Sequence, residues 1–132
     1  MTAALTPELA LAYLRELSND VRAAIVLDAA GNRLAGPEAL AGPARALLIE
    51  APLVSALTSA GGAFGARDDH HGVVAVTGPL ALARVVLHDL TRALAALQDG
   101  TPRAAAADGL GAANRLPTTV PRALAEAVLN AL

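Results

Sequence analysis

The sequence predicts an α/β domain, a five-stranded and mostly antiparallel sheet between helices. The order of elements is helix, hairpin, helix, three-strand meander, helix. Three observations carry this. Residues 21–27 and 73–77 are apolar on both parities, apart from Arg22, which marks strands covered on both faces. Residues 7–17, 37–51 and 79–98 repeat apolar side chains at helical spacing. Clusters of Gly, Pro, Asn and Asp separate these stretches.

The first helix opens on Thr6-Pro7-Glu8, which supplies a capping hydroxyl, a proline at the first helical position and an acid in the first turn. Leu9, Tyr13, Leu14 and Leu17 share one face, and Ser18-Asn19-Asp20 ends it. Residues 21–27 form a central strand. Asp28-Ala29-Ala30-Gly31-Asn32 turns the chain into a short edge strand at residues 33–35. Pro37 and Glu38 open the second helix. Gly42-Pro43 kinks or restarts it, and Pro52 ends it.

Residues 53–59 alternate weakly and read as a third strand. Gly61-Gly62 reads as a turn, and residues 63–67 as a fourth strand with Phe64 as its one large side chain. Asp68-Asp69-His70-His71-Gly72 is a polar connection to the central strand 73–77. From Pro79 onward Leu80, Ala83, Leu87, Leu90, Leu94 and Leu97 lie on one face of a long helix, with Asp89 opposite. Residues 1–99 are expected to form the domain. Residues 100–132 read as a linker and a short last helix that starts near Pro121, with Leu124, Val128 and Leu132 on one face.

Composition excludes several kinds of chemistry. The chain of 132 residues has no cysteine, which removes disulfides, thiolate catalysis and Cys-ligated zinc. All ten basic residues are arginine, which removes lysine Schiff bases and a P-loop lysine. Net charge is −2, with the basic residues scattered, so neither nucleic acid nor a membrane surface is an expected partner. Apolar runs are too short to span a bilayer and the start lacks a secretory signal, so a cytoplasmic location is expected. Hydrophobic residues reach 55%, and that surplus on a small domain favours a second chain covering one face.

The candidate sites are weak. Asp68-Asp69-His70-His71 carries metal-ligand atoms, but consecutive strand residues point to opposite faces and a third ligand is missing. His88-Asp89 reads as solvent-exposed, because neighbouring helical residues do not face each other. Gly61-Gly62-Ala63-Phe64-Gly65 lacks the spacing of a phosphate loop. Ser55, Thr58 and Ser59 have no nucleophile elbow around them. No catalytic residue, cofactor or metal is expected.

The order of elements resembles the roadblock domain, a small α/β module named after a dynein light chain and also found in bacterial GTPase regulators. Residues 21–27, followed by Asp28-Ala29-Ala30-Gly31 and Leu34-Ala35, resemble that family's first hairpin, an apolar strand ending in Asp-x-x-Gly. Residues 73–77 resemble its last central strand, and the helix from Pro79 its closing helix. The resemblance spans roughly residues 7–98. It departs from the family at Gly42-Pro43, inside the second helix, and at residues 53–59, which are poor in large apolar side chains.

The resemblance implies a non-enzymatic homodimer. Residues 37–51 and 53–59 would pair across a two-fold axis, with Leu40, Leu47, Leu48, Val54 and Leu57 at the seam. The paired helices would form a platform for a small Ras-like GTPase or another signalling protein, with Arg45 and Glu50 on its exposed side. A small-molecule sensor of profilin-like or PAS-like shape is the alternative, though it would need more aromatics and polar anchors than this chain has. A small enzyme is the second alternative, and no nucleophile–base pair or metal set supports it.

Overall fold

Thr6 caps the first helix, α1 (Pro7–Leu17): its Oγ1 accepts the N–H of Leu9 at 3.2 Å. Pro7 follows at a position where no N–H is needed. The computed structural model describes residues 6–98 and 118–131. Strand β1 (Val21–Asp28) returns as β2 (Arg33–Ala35) through a turn that Asp28 closes. Asp28 Oδ1 accepts the N–H groups of Ala30 and Asn32, each at 2.9 Å. Gly31 takes the positive φ of 89° that this turn requires.

The second helix is restarted, not kinked. A 3-10 turn at Glu38–Leu40 leads into α2 (Ala41–Glu50). Pro43 therefore sits in the first turn of α2, where its missing N–H has no helical carbonyl to serve. Ala51 adopts an extended conformation ahead of Pro52 and ends the helix.

The meander comprises β3 (Leu53–Leu57), β4 (Gly62–Arg67) and β5 (His71–Thr77). The β3–β4 turn falls at Ser59-Ala60, earlier than expected. Thr58 closes it, because its N–H donates to Gly61 O at 2.8 Å and its Oγ1 accepts from Ala60 and Gly61. Gly61 and Gly62 are buried instead, Gly62 as the first residue of β4. A Cβ on Gly61 would collide with the Thr77 carbonyl. The β4–β5 hairpin is also tighter than expected, with Asp68 N–H donating to His71 O at 2.9 Å, so β5 begins at His71.

Helix α3 (Ala83–Gln98) starts later than Pro79. Residues 78–81 form a turn, with Ala81 N–H directed at Gly78 O, that drops Ala81 into the core and leaves Leu80 88% exposed. Beyond the expected five strands lies a sixth, β6 (Thr118–Thr119), followed by helix α4 (Arg122–Asn130). The sheet order is β2-β1-β5-β4-β3-β6, antiparallel except for the parallel β3–β6 pair.

Alternation along the strands feeds two cores. Ala24, Val26, Phe64, Val73 and Ala75 face α1 and α3, where Leu14, Leu90, Leu94 and Leu97 pack. Ala23, Ile25, Leu27, Ala63, Val74 and Val76 face α2 and α4, where Leu40, Leu47, Ala125 and Val128 pack. That is why β1 and β5 read as apolar on both parities. The C-terminal stretch expected outside the domain thus contributes Val120, Ala125 and Val128 to its core. Leu132 lies outside the described residues. Among the described residues, no helix is long and apolar enough to cross a membrane.

Candidate functional site

Two hairpin tips and the end of α2 meet at one end of the sheet. Strands β1 and β5 are neighbours, and their register pairs Asp28 with His71. This sets the 28–33 turn beside the 68–71 turn. Helix α2 lies over the same region because β4 and β5 leave room for it. Gly65 and Gly72 have no side chains, and the methyl groups of Leu48 fill the space: a Cβ on Gly65 would lie 2.9 Å from Leu48 Cδ2. Arg67 then ties the helix end down, with its Nε donating to Leu48 O at 2.7 Å. That carbonyl belongs to the last turn of α2, where helix acceptors lack partners.

A groove of about 360 Å³ results, open to solvent. Leu27, Leu48 and Ile49 give it an apolar floor and side, and Asp28, Arg45, Arg67, Asp68 and His71 give it a charged rim. The Arg45 stem crosses over Gly31: a Cβ there would lie 2.6 Å from Arg45 Cδ. Ile49 is 75% exposed, one helical turn after Arg45.

The two acids of the rim are engaged by their own turns. The backbone N–H of Asn32 holds the Asp28 carboxyl below its usual range; desolvation opposes this, and the Asn32 amide and the N–H groups of Ala30 and Gly31 add to the lowering. Asp68 Oδ1 accepts the N–H groups of His70 at 2.8 Å and His71 at 2.7 Å. The guanidinium groups of Arg45 and Arg67 have no carboxylate partner within salt-bridge distance, because the one ion pair among the described residues joins Arg122 to Glu126 at 2.8 Å. His71 Nδ1 is enclosed without a hydrogen-bond partner among those residues. Among the described residues, the groove sets an apolar patch beside two arginines that have no carboxylate partner.

The structure distributes the expected site residues unevenly. Arg45 and Glu50 are both exposed on α2, and Arg45 borders the groove. Leu40, Leu47 and Val54 are fully buried and Leu48 nearly so, all within the chain's own second core. Leu57 alone of the five residues expected at a seam is on the surface, 54% exposed. Helix α4 lies against α2, β3 and β4, and β6 occupies part of the outer edge of β3.

Asp68 acts as a turn cap, and no three His, Asp or Glu side chains among the described residues converge as metal ligands. Thr58 is likewise a turn cap. His88 is exposed, but Asp89 is not: only 8% of it is accessible, against the expectation of a solvent-facing pair. Its Oδ2 has no hydrogen-bond partner among the described residues. Burial pushes its carboxyl up, and the charges of His88 and Arg92 oppose that only in part. Ile49 and Arg67 are not legible as site residues in the sequence. Ile49 carries a signal, an isoleucine between the charged Arg45 and Glu50, whereas the role of Arg67 depends on a contact 19 residues away in sequence.

No family model and no curated protein matches the chain. Several solved structures do match it. A roadblock/LC7 domain from Streptomyces avermitilis superposes with a TM-score of 0.57 at 19% identity, covering 66% of this chain and 93% of that one. A gliding protein, mglB, from Thermus thermophilus gives 0.53 at 20% identity, covering 80% and 96%. A second roadblock/LC7 domain from Streptomyces avermitilis gives 0.51 at 13% identity, covering 70% and 92%. The chain has the roadblock fold.

Proposed function

We propose that the chain is a non-enzymatic, homodimeric interaction module that regulates or scaffolds a small Ras-like GTPase. The fold supports this class of function, because the resemblance to roadblock domains implies paired helices that form a platform for such GTPases. The single observation that carries the reading to a surface is the outward side of α2. There, Ile49 stands exposed beside Arg45, an arginine with no carboxylate partner among the described residues. An exposed aliphatic anchor flanked by unpaired charge is the usual anatomy of a protein-docking patch. The groove next to it is open and charged, which suits a protein surface better than an enclosed metabolite.

The experiment is a GTP-hydrolysis and binding assay with the small Ras-like GTPases of the host, with and without this protein. The reading expects one GTPase to bind, with its turnover changed, and expects Ile49→Asp to weaken that binding at least tenfold. If no GTPase binds, or if Ile49→Asp and Arg45→Glu leave binding untouched, the reading is wrong.

A further inference from the structure

The segment 118–131 lies where a self-associating domain needs its surface free. Strand β3 is five residues long, yet β6 pairs with only Val54 and Ser55 of it. The pairing is parallel and closes with one bond beyond the strand, Val120 N–H to Ser55 O at 3.3 Å. The far end of that edge carries Leu57, more than half exposed. Beside β6, the segment 118–131 packs Val120, Ala125 and Val128, with the half-buried Leu124, Leu129 and Ala131, into the core that holds Leu47, Val54, Ala56 and Ala63. The outer side of α4 is polar, with Arg122 paired to Glu126 one turn on. The tail is therefore an amphipathic lid, joined to the sheet by one short strand pairing. The apolar side chains it buries oppose the entropy of ordering the whole segment.

A second copy of this chain would take the same place. Two β3 strands meeting antiparallel about a two-fold axis pair with each other along their full length, because such an edge is complementary to itself. The bed beneath is apolar and would be covered by its counterpart. We infer that the segment 118–131 is a detachable cover, held in cis over the surface through which two copies associate, so that its release controls assembly. The inference rests on the self-association reading above. It explains why Leu40, Leu47 and Val54 are buried in a single protomer and could still line a seam between two.

The absence of native cysteines makes a direct test possible. Ser55 and Thr119 are register partners in neighbouring strands, and neither is buried. Strand neighbours stand about 4.8 Å apart, within disulfide reach. The double variant Ser55→Cys/Thr119→Cys is studied reduced and oxidised, by sedimentation over a range of concentrations and by non-reducing electrophoresis. The expected result is an intrachain disulfide whose formation weakens dimerisation at least tenfold, while the reduced protein dimerises like the unsubstituted chain. An oxidised protein that dimerises as tightly as the reduced one overturns the cover and leaves the self-association reading intact. A disulfide joining position 55 of one copy to position 119 of another, located by peptide mapping, overturns it too, because the tail would then be exchanged between copies; one joining position 55 of both copies supports it, because two β3 strands then meet at their centres. A reduced protein and an unsubstituted chain that both stay monomeric at high micromolar concentration overturn the cover and the reading beneath it. Melting temperatures of both redox forms, compared with the unsubstituted chain, confirm that folding survives the substitutions.

Discussion

Val54 and Thr118 are register partners in parallel strands, so a two-residue strand near the end of the chain extends the sheet beside β3. The same segment buries Val120, Ala125 and Val128 against α2 and the sheet. Edges held by so few bonds open without global unfolding. Hydrogen exchange is expected to show the Val120 amide, bonded to Ser55 O, exchanging at much lower free energy than the Val74 amide in central β5. Equal protection at the two positions would mean that the tail is a fixed part of the core.

Gly65 gives α2 its seat. A Cβ there meets Leu48 Cδ2 and Val54 Cγ2, each at 2.9 Å, in a fully packed layer. Gly65→Ala is therefore expected to cost roughly 1–3 kcal/mol in urea unfolding, as overpacking does. Leu48→Ala should cost about 2–5 kcal/mol alone. The double variant should be less destabilised than the two costs added, because the smaller side chain admits the new methyl group. Strict additivity would show that the two residues are not in contact.

Asp89 makes folding sensitive to acid in the direction opposite to most carboxylates. Its folded pKa is raised by burial, so over the window from its unfolded value near 3.8 up to the raised one the native state binds more protons than the unfolded state. Its ionisation thus lowers stability as pH climbs through that window, and the cost persists at neutral pH. Asp89→Asn is expected to raise the melting temperature at pH 7, with the gain shrinking as pH falls through that window and gone below about 3.8. A variant less stable than the parent at neutral pH would indicate that the carboxylate has a partner in the folded protein.

Arg45 and Arg67 border one groove but differ in what they hold. Arg67 Nε is bonded to Leu48 O, so Arg67→Ala should lose about 1 kcal/mol of stability. Arg45 lies over Gly31 with no carboxylate partner among the described residues. Arg45→Ala should stay within about 0.5 kcal/mol of the parent and reduce partner binding instead. Chemical unfolding and a binding titration on both variants separate the roles, and the reverse pattern would exchange them.

The sequence carries the parts of this architecture that depend on local pattern. Val73–Val76 and Ala23–Leu27 are apolar on both parities because each strand feeds two cores, and that is visible without a structure. Thr6-Pro7 marks a helix start by its own chemistry. The misses share a non-local cause. Two threonines have no periodicity, so β6 exists only because β3 is there to pair with it. Gly61-Gly62 signals a turn, yet Thr58 makes the turn earlier and the glycines serve a close approach to Thr77.

The leucine register of α3 places Asp89 on the polar side, and its burial follows from packing that no helical wheel contains. Leu40, Leu47, Leu48 and Val54 are legible as apolar and thus as covered. Which chain does the covering is not written in their identity. That question decides between a core and a seam, and here all four lie in a core that the sheet, α2 and α4 of one chain build together.

Sedimentation of the unsubstituted chain, from low to high micromolar concentration, reads self-association itself. A reversible rise from the 13.2 kDa chain mass toward twice that mass is expected as concentration increases. A single species at the chain mass across the whole range would contradict it.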